Sequence, residues 1–117
     1  MLTIRKEQMA AFARAETKKF EDRMLIHLNK FFPRQCAGLG EPKLRETIRY
    51  GIKRAAAYRI TAERDVNKYI DLMIVFGRDF DTDNRFRWAG EILRTRKNPG
   101  AKIQALYGSA RKRLKRR

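Results

Sequence analysis

The segment Tyr69–Phe76 is the longest apolar run in the chain, and only Asp71 interrupts it. Thr61 supplies a capping residue before the run, and a Gly-Arg-Asp turn follows at residues 77–79. This arrangement predicts a helix over 62–77 that is buried on most sides and forms the centre of the packing. A bilayer-spanning helix needs about 20 apolar residues, so the run is too short to be one.

Helix-favouring residues dominate the rest of the chain, which predicts an all-α fold. Only three prolines and seven glycines occur among 117 residues, so few positions interrupt a helix. Capping residues and apolar spacing predict a bundle of about five helices at 4–32, 42–58, 62–77, 86–94 and 99–112. Residues 33–41 are expected to form a loop or one short turn. We expect one helical domain over 1–110 and a frayed basic tail over 111–117.

The first predicted helix is long for such a domain, roughly 40 Å at about 1.5 Å per residue. Its apolar residues form one stripe, made of Met9, Phe12, Phe20, Met24, Leu28 and Phe31. We expect this stripe to be the core face. The N-terminal third of the helix is expected to project from the domain or to pair with a partner.

Positive charge is concentrated near the C-terminal end. The formal net charge is +16, and residues 93–117 hold ten Lys/Arg and no Asp/Glu. Clustered cations neutralise phosphates and release counterions, so this segment is a candidate for binding nucleic acid without reading its base sequence. The candidate residues are Arg94, Arg96, Lys97, Lys102, Arg111, Lys112, Arg113, Lys115, Arg116 and Arg117.

Two other interpretations of this basic segment remain open. A solvated surface that only keeps the protein in solution has the same composition, and Leu114 also fits an amphipathic helix on a membrane surface. Proteins that bind single strands usually add exposed aromatic side chains on which bases stack. Here nearly all aromatic residues fall on predicted core stripes, so we expect no such stacking surface.

No residue pattern indicates catalysis, a cofactor or a zinc site. His27 and Cys36 are the only residues of their types, whereas a Cys–His nucleophile pair needs both groups in contact and a third residue to orient the base. His27 falls on the first core stripe, which favours a partly buried side chain. Glycine-rich phosphate loops are absent. Because these catalytic patterns are missing, we expect a protein that is not an enzyme. One cysteine allows no internal disulfide and fits a reducing compartment, so we expect a cytoplasmic protein.

An acidic turn follows the central helix. Positions one, three and five of a calcium-loop pattern are occupied by Asp79, Asp81 and Asp83. The pattern then departs, because Asn84 replaces the usual glycine and Glu91 falls one place late. Two other uses of the turn are open. The aspartates accept backbone N–H groups and cap the fourth helix, or they pair internally with arginines of the second helix.

The second predicted helix carries a basic stripe beside its core face. Together with the acidic turn, this stripe offers charges of both signs to another protein. The candidate partner-binding residues are therefore Arg45, Arg49, Lys53, Asp79, Asp81 and Asp83.

Two blocks of sequence carry a resemblance. They are Ile48-Arg49-Tyr50-Gly51-Ile52 with Ala55 and Tyr58, and Thr61-Ala62-Glu63-Arg64-Asp65-Val66 with Tyr69-Ile70-Asp71-Leu72-Met73 and Phe76-Gly77-Arg78-Asp79-Phe80-Asp81. Through them the chain resembles small proteobacterial proteins associated with type VI secretion effector cassettes. Arg59 stands where the resemblance leads us to expect a glycine, and the tail is more basic than in that group. The resemblance implies an accessory, adaptor or immunity-like protein without catalytic residues.

Two functions follow from these features. The first is a non-catalytic protein–protein interaction module of a type VI secretion effector cassette, whose partner is an effector or secretion component encoded nearby. The alternative is a small basic helical protein that binds nucleic acid through its C-terminal Lys/Arg cluster, without sequence preference.

Overall fold

The computed structural model describes the backbone of residues 2–115 and the side chains of residues 16–114. Six helices follow one another as α1 (Leu2–Phe31), α2 (Pro33–Leu39), α3 (Glu41–Ala57), α4 (Glu63–Phe76), α5 (Arg87–Leu93) and α6 (Pro99–Lys115). A 3-10 turn at Asn84–Phe86 precedes α5. No strand occurs within residues 2–115. The all-α prediction is confirmed, and residues 2–115 contain one helix more than predicted.

The additional helix is α2, in the stretch expected to be a loop or one short turn. Pro33 occupies its first turn, where the missing N–H costs nothing. Cys36 is buried, which anchors the helix and outweighs the low helix propensity of Gly38. The helix ends at Leu39 and is capped by Gly40, which adopts a φ of 80° and donates its N–H to the carbonyl of Cys36. The expected loop is therefore wrong over Pro33–Leu39.

The backbone divides into two compact units, Met1–Ile48 and Arg49–Arg117, with the division inside α3. The apolar core of the first unit consists of Phe20, Met24, Leu25, Leu28, Cys36, Leu44 and Ile48. The predicted stripe on α1 is confirmed at Phe20, Met24 and Leu28. It is wrong at Phe31, which is the last residue of α1 and is 59% exposed. Met9 and Phe12 lie outside the described side chains.

In the second unit, α4 and α5 each pack against α6. The central-helix prediction is confirmed, because α4 buries Val66, Tyr69, Ile70, Leu72 and Met73. Val75 belongs to the apolar run that was predicted to be buried on most sides, but it is 43% exposed, since α4 ends one residue later and its last turn is covered on fewer sides.

The helix starts were predicted with mixed success. The predicted start at residue 99 is confirmed, because α6 begins at Pro99 and the Oδ1 of Asn98 caps it by accepting a hydrogen bond from the Ala101 N–H at 2.8 Å. Thr61 does not cap α4. That helix begins at Glu63, so Ala62 occupies the capping position and no side chain there accepts a hydrogen bond.

The basic end of α6 remains helical within the described residues. The helix continues to Lys115, so the fraying expected from residue 111 onward is not confirmed, and residues 116 and 117 lie outside the described part. Ile103, Leu106 and Ala110 anchor the buried face of α6. Cations near a helix C-terminus also interact favourably with the helix dipole.

Candidate functional site

The acidic turn uses its three carboxylates for three separate contacts. Asp81 is only 1% exposed and accepts hydrogen bonds from the Arg54 guanidinium and, at 2.6 Å, from the Tyr58 hydroxyl. Asp79 accepts a hydrogen bond from the Tyr50 hydroxyl. Internal pairing with an arginine of the second predicted helix, now α3, is thus confirmed for Asp81.

Asp83 caps the short 3-10 turn that leads into α5. Its carboxylate accepts the Arg85 N–H at 2.9 Å and pairs with the Arg85 guanidinium at 2.7 Å. These hydrogen bonds from Arg85 lower the pKa of Asp83. The expected use of an aspartate as a cap is confirmed here, with the 3-10 turn as the element that is capped.

The predicted partner-binding residues fall in both units, with Arg45 in the first and the other five in the second. In the first unit Arg45 pairs with Glu21 at 2.8 Å and Asp22 at 3.0 Å. Arg49 and Lys53 lie on the exposed side of α3. Since the Asp81 carboxylate is buried, a partner does not reach it at the surface. A role for the remaining residues in partner binding stays a prediction.

The groups that could bind a metal ion or act as a nucleophile are dispersed or at least partly buried in the described part of the chain. Between residues 16 and 114, no three side chains of His, Cys, Asp and Glu come together as metal ligands. Cys36 is 3% exposed, and burial raises the pKa of its thiol, which disfavours the nucleophilic thiolate. His27 is half-buried, with its ring centroid 4.8 Å from that of Phe31.

A groove of about 910 Å³ lies at one end of the α5–α6 pair. It lies where α3 ends, α5 ends and α6 begins. Its lining residues are Ala57, Tyr58, Arg59, Leu93, Arg94, Thr95, Arg96, Lys97 and Lys102. Five of these nine carry a positive charge, and none carries a negative charge. We call this feature the basic groove.

Lys102 is the most deeply placed cation of the basic groove. The residue is 6% exposed, and its Nζ donates a hydrogen bond to the carbonyl oxygen of Tyr58 at 3.1 Å. That carbonyl belongs to the C-terminal end of α3, where backbone acceptors lack partners within the helix. An ammonium has three donors, and burying its charge is costly unless an anion lies nearby. No ion pair of Lys102 with a carboxylate occurs among the described side chains.

Arg59 contributes to the same groove from a strained backbone position. It is the one described residue other than glycine with a positive φ, 66°. The Arg59 N–H donates to the carbonyl of Ala56 and the Ile60 N–H donates to that of Ala55, both at 2.9 Å. This hydrogen-bond pair is a Schellman motif, in which the left-handed position is usually glycine. Helical periodicity did not identify Arg59 as a functional residue. The resemblance leads to an expected glycine at this position, and glycine is the residue that a left-handed backbone favours.

The predicted anion-binding residues separate into two groups along α6. Arg94, Arg96, Lys97 and Lys102 line the basic groove. Arg111, Lys112 and Arg113 lie exposed near the other end of α6. The side chains of residues 115–117 lie outside the described part of the chain.

A second, smaller pocket of about 280 Å³ lies beside Arg113. Its lining residues are Phe76, Arg85, Phe86, Trp88, Arg113 and Leu114. The three aromatic side chains are half-buried rather than enclosed. They are covered less completely than core side chains, although none of the three is exposed. Phe76 is the last residue of α4, and Phe86 and Trp88 flank the start of α5, so all three lie at helix ends.

Among the described residues, no helix is both long and apolar enough to cross a membrane. Comparison of the chain with family models, with curated proteins and with solved structures gives no match.

Proposed function

We propose that this protein is a non-catalytic binder of phosphate-bearing polymers, single-stranded nucleic acid foremost, and that it binds without sequence preference. The observation that carries this proposal is the basic groove, where five cations converge without a carboxylate and one of them, Lys102, is buried. We place the protein in the cytoplasm, where such polymers are available.

The side chains of the groove provide the positive charge and the N–H donors that a phosphate group binds. Arg59, Arg94 and Arg96 offer planar guanidinium groups that hydrogen-bond phosphate in pairs, and Lys97 and Lys102 add ammonium groups. Contacts with phosphates do not distinguish one base from another. The groove therefore contributes affinity and little sequence preference.

The salt dependence of binding tests the proposal. If all five cations contact phosphates of a single strand, the logarithm of the association constant should fall with a slope of about −3.5 against the logarithm of salt concentration. Between 50 and 200 mM salt this slope corresponds to a loss of about 100-fold. Fluorescence anisotropy with a labelled oligothymidylate of about 15 nucleotides measures it.

A matched pair of double variants separates the groove from the overall charge. Arg96→Ala with Lys97→Ala removes two exposed groove cations, and Arg34→Ala with Lys43→Ala removes two exposed cations of the first unit. Both lower the net charge by two. The groove variant should bind about five- to tenfold more weakly with a shallower salt slope, and the control should bind nearly as the parent does. Salt-insensitive binding, or equal losses in both variants, would refute the proposal.

The second candidate function is binding of a partner protein in a type VI secretion effector cassette. The resemblance implies it, and three exposed large apolar side chains of the first unit favour it, namely Ile26, Phe31 and Leu39. Co-expression with proteins encoded beside this one should give a stable complex. Phe31→Ser should weaken that complex, whereas Val75→Ser, at an exposed apolar side chain of the second unit, should not. Elution of the chain alone in every co-expression would count against this function.

A further inference from the structure

The pocket beside Arg113 has the features of a binding site for one planar ring. Its three aromatic side chains meet edge to face, with ring centroids 5.1 Å apart for Phe76 and Phe86 and 5.5 Å for Phe76 and Trp88. The Phe86 and Trp88 centroids are 6.4 Å apart, with planes inclined by 77°. No two of these rings stack face to face. Each edge-to-face pair covers one face of one ring, so the three rings do not cover all of one another's faces.

The size of the pocket limits its occupant. At about 280 Å³ it falls just below the range of about 300–1,000 Å³ typical of sites for drug-sized molecules. It therefore has room for a single ring system rather than an extended ligand. Leu114, which is 44% exposed, adds an apolar edge.

Two arginines complement the aromatic side chains. The Arg113 guanidinium lies 4.7 Å from the Trp88 ring centroid, and that of Arg85 lies 5.3 Å from the Phe86 ring centroid. Arg85 is already paired with Asp83. Arg113 forms no ion pair with a carboxylate among the described residues, so its charge is available for an anion attached to the bound ring. A nucleotide combines a planar ring and a phosphate in this way.

The spacing along α6 relates this pocket to the basic groove. Lys102 in the groove and Arg113 in the pocket are separated by three turns of α6, about 16 Å at 1.5 Å per residue. A strand with about 3.4 Å between nucleotides covers that distance with roughly five of them. One short oligonucleotide is thus long enough to reach both features.

We propose that the pocket formed by Phe76, Phe86, Trp88 and Arg113 holds an unpaired base of a single-stranded nucleic acid whose phosphates occupy the basic groove. This inference rests on the proposed function and adds the base as a recognised group. The protein then prefers single strands to duplexes, because a paired base is not free to enter the pocket.

The experiment uses the intrinsic fluorescence of Trp88, the only tryptophan of the chain. Three probes of equal length are titrated at low salt. They are an oligothymidylate, the same sugar–phosphate strand without bases (the abasic strand), and a duplex. The oligothymidylate should quench the Trp88 fluorescence. The abasic strand should bind about 5- to 100-fold more weakly and leave the fluorescence unchanged.

A matched pair of variants on α6 localises the effect without disturbing the core. Arg113→Ala and Lys112→Ala remove one cation each from adjacent exposed positions, and only Arg113 lines the pocket. Arg113→Ala should reduce the preference for the oligothymidylate over the abasic strand, and Lys112→Ala should preserve it.

The two proposals fail in different ways. Equal affinity for the oligothymidylate and the abasic strand, or equal changes in Trp88 fluorescence with both, would overturn the base-binding pocket and leave the basic groove intact. Absence of salt-dependent binding to any of the three probes would overturn the proposed function and the pocket with it.

Discussion

The Tyr58 carbonyl oxygen accepts a hydrogen bond from the Lys102 ammonium at 3.1 Å, while the hydroxyl of the same tyrosine donates to the buried Asp81. Tyr58 therefore connects the acidic turn to the basic groove. Inside the second unit the Asp81 carboxylate accepts hydrogen bonds from both Arg54 and Tyr58, and Arg54 balances its negative charge. As a result, the buried Asp81 carboxylate is already paired and does not neutralise the cations of the groove.

Asp81→Asn is expected to destabilise the protein strongly. Removing one partner of a buried ion pair leaves the other charge uncompensated, which costs about 3–5 kcal/mol. Because the Arg54 side chain is 32% exposed, we expect the lower end, about 3 kcal/mol. Urea unfolding measures the change. Asp83→Asn is the matched control, since its partner Arg85 is 76% exposed and asparagine caps equally well, so its unfolding midpoint should hardly move. Equal effects of the two substitutions would contradict a structural role for the buried pair.

Stability is expected to fall at alkaline pH. Burial, and then the hydrogen bond to Asp81, raise the pKa of Tyr58 to about 12 from an ordinary 10.0. Burial likewise raises the pKa of Tyr69 and of Tyr107. The folded state therefore retains phenol protons that the unfolded chain releases above pH 10. The stabilisation is complete below the unfolded pKa and is lost as the pH rises through the folded value.

Tyrosinate absorbance and circular dichroism, followed together, check this expectation. The phenols should ionise only as helix content is lost. Tyr58→Phe has one fewer phenol to ionise and should lose less stability above pH 10 than the parent does. Ionisation of these tyrosines near pH 10 with full helix content would contradict their burial.

Two glycines inside helices should respond in opposite directions to alanine. A Cβ at Gly51 would lie 2.6 Å from Ile70 Cγ1 and 2.9 Å from Met73 Sδ, so Gly51→Ala should cost about 1–3 kcal/mol through overpacking between α3 and α4. A Cβ at Gly108 meets nothing within 4 Å, so Gly108→Ala should stabilise α6 by about 0.5–1 kcal/mol. Thermal unfolding of both variants measures these changes. If Gly51→Ala stabilised the protein, the close approach of α3 and α4 would be contradicted.

Arg59→Gly should separate stability from binding. Glycine adopts the left-handed conformation without steric cost, so the variant should gain about 1 kcal/mol of stability. It also loses one groove cation, so the salt slope should become shallower by about 0.7. Arg59→Ala removes the same cation but keeps the backbone strain, and should share the weaker binding without the added stability. If the glycine variant binds oligothymidylate as tightly as the parent does, Arg59 does not contribute to binding in the groove.

The fold was largely predictable because its main helices carry strong periodic signals. The apolar run of α4 and the Asn98 cap of α6 are local features, and both appear in the structure. The short helix α2 was missed because its stability comes from burial of Cys36, a tertiary effect that outweighs the local signal of Gly38. Phe31 and Val75 were misplaced for a related reason. Both lie at the last turn of a helix, where periodicity continues but packing partners end.

The candidate sites were only partly predictable. Clustering in sequence pointed to Arg94, Arg96 and Lys97, which are neighbours along the chain. Joining them to Arg59 requires knowing that the end of α3 meets the start of α6. The aromatic pocket was missed because Phe76 continues the core period of α4, and only the position of the helix end brings it beside Trp88.

Because Arg59 has a left-handed backbone, selection for stability and selection for ligand binding should favour different residues at this position. A library of variants screened only for heat resistance should enrich glycine at residue 59. A library screened for retention on immobilised oligonucleotide should keep arginine or lysine there. Comparison of the two enriched populations would show at a single codon whether the strain is maintained for ligand binding.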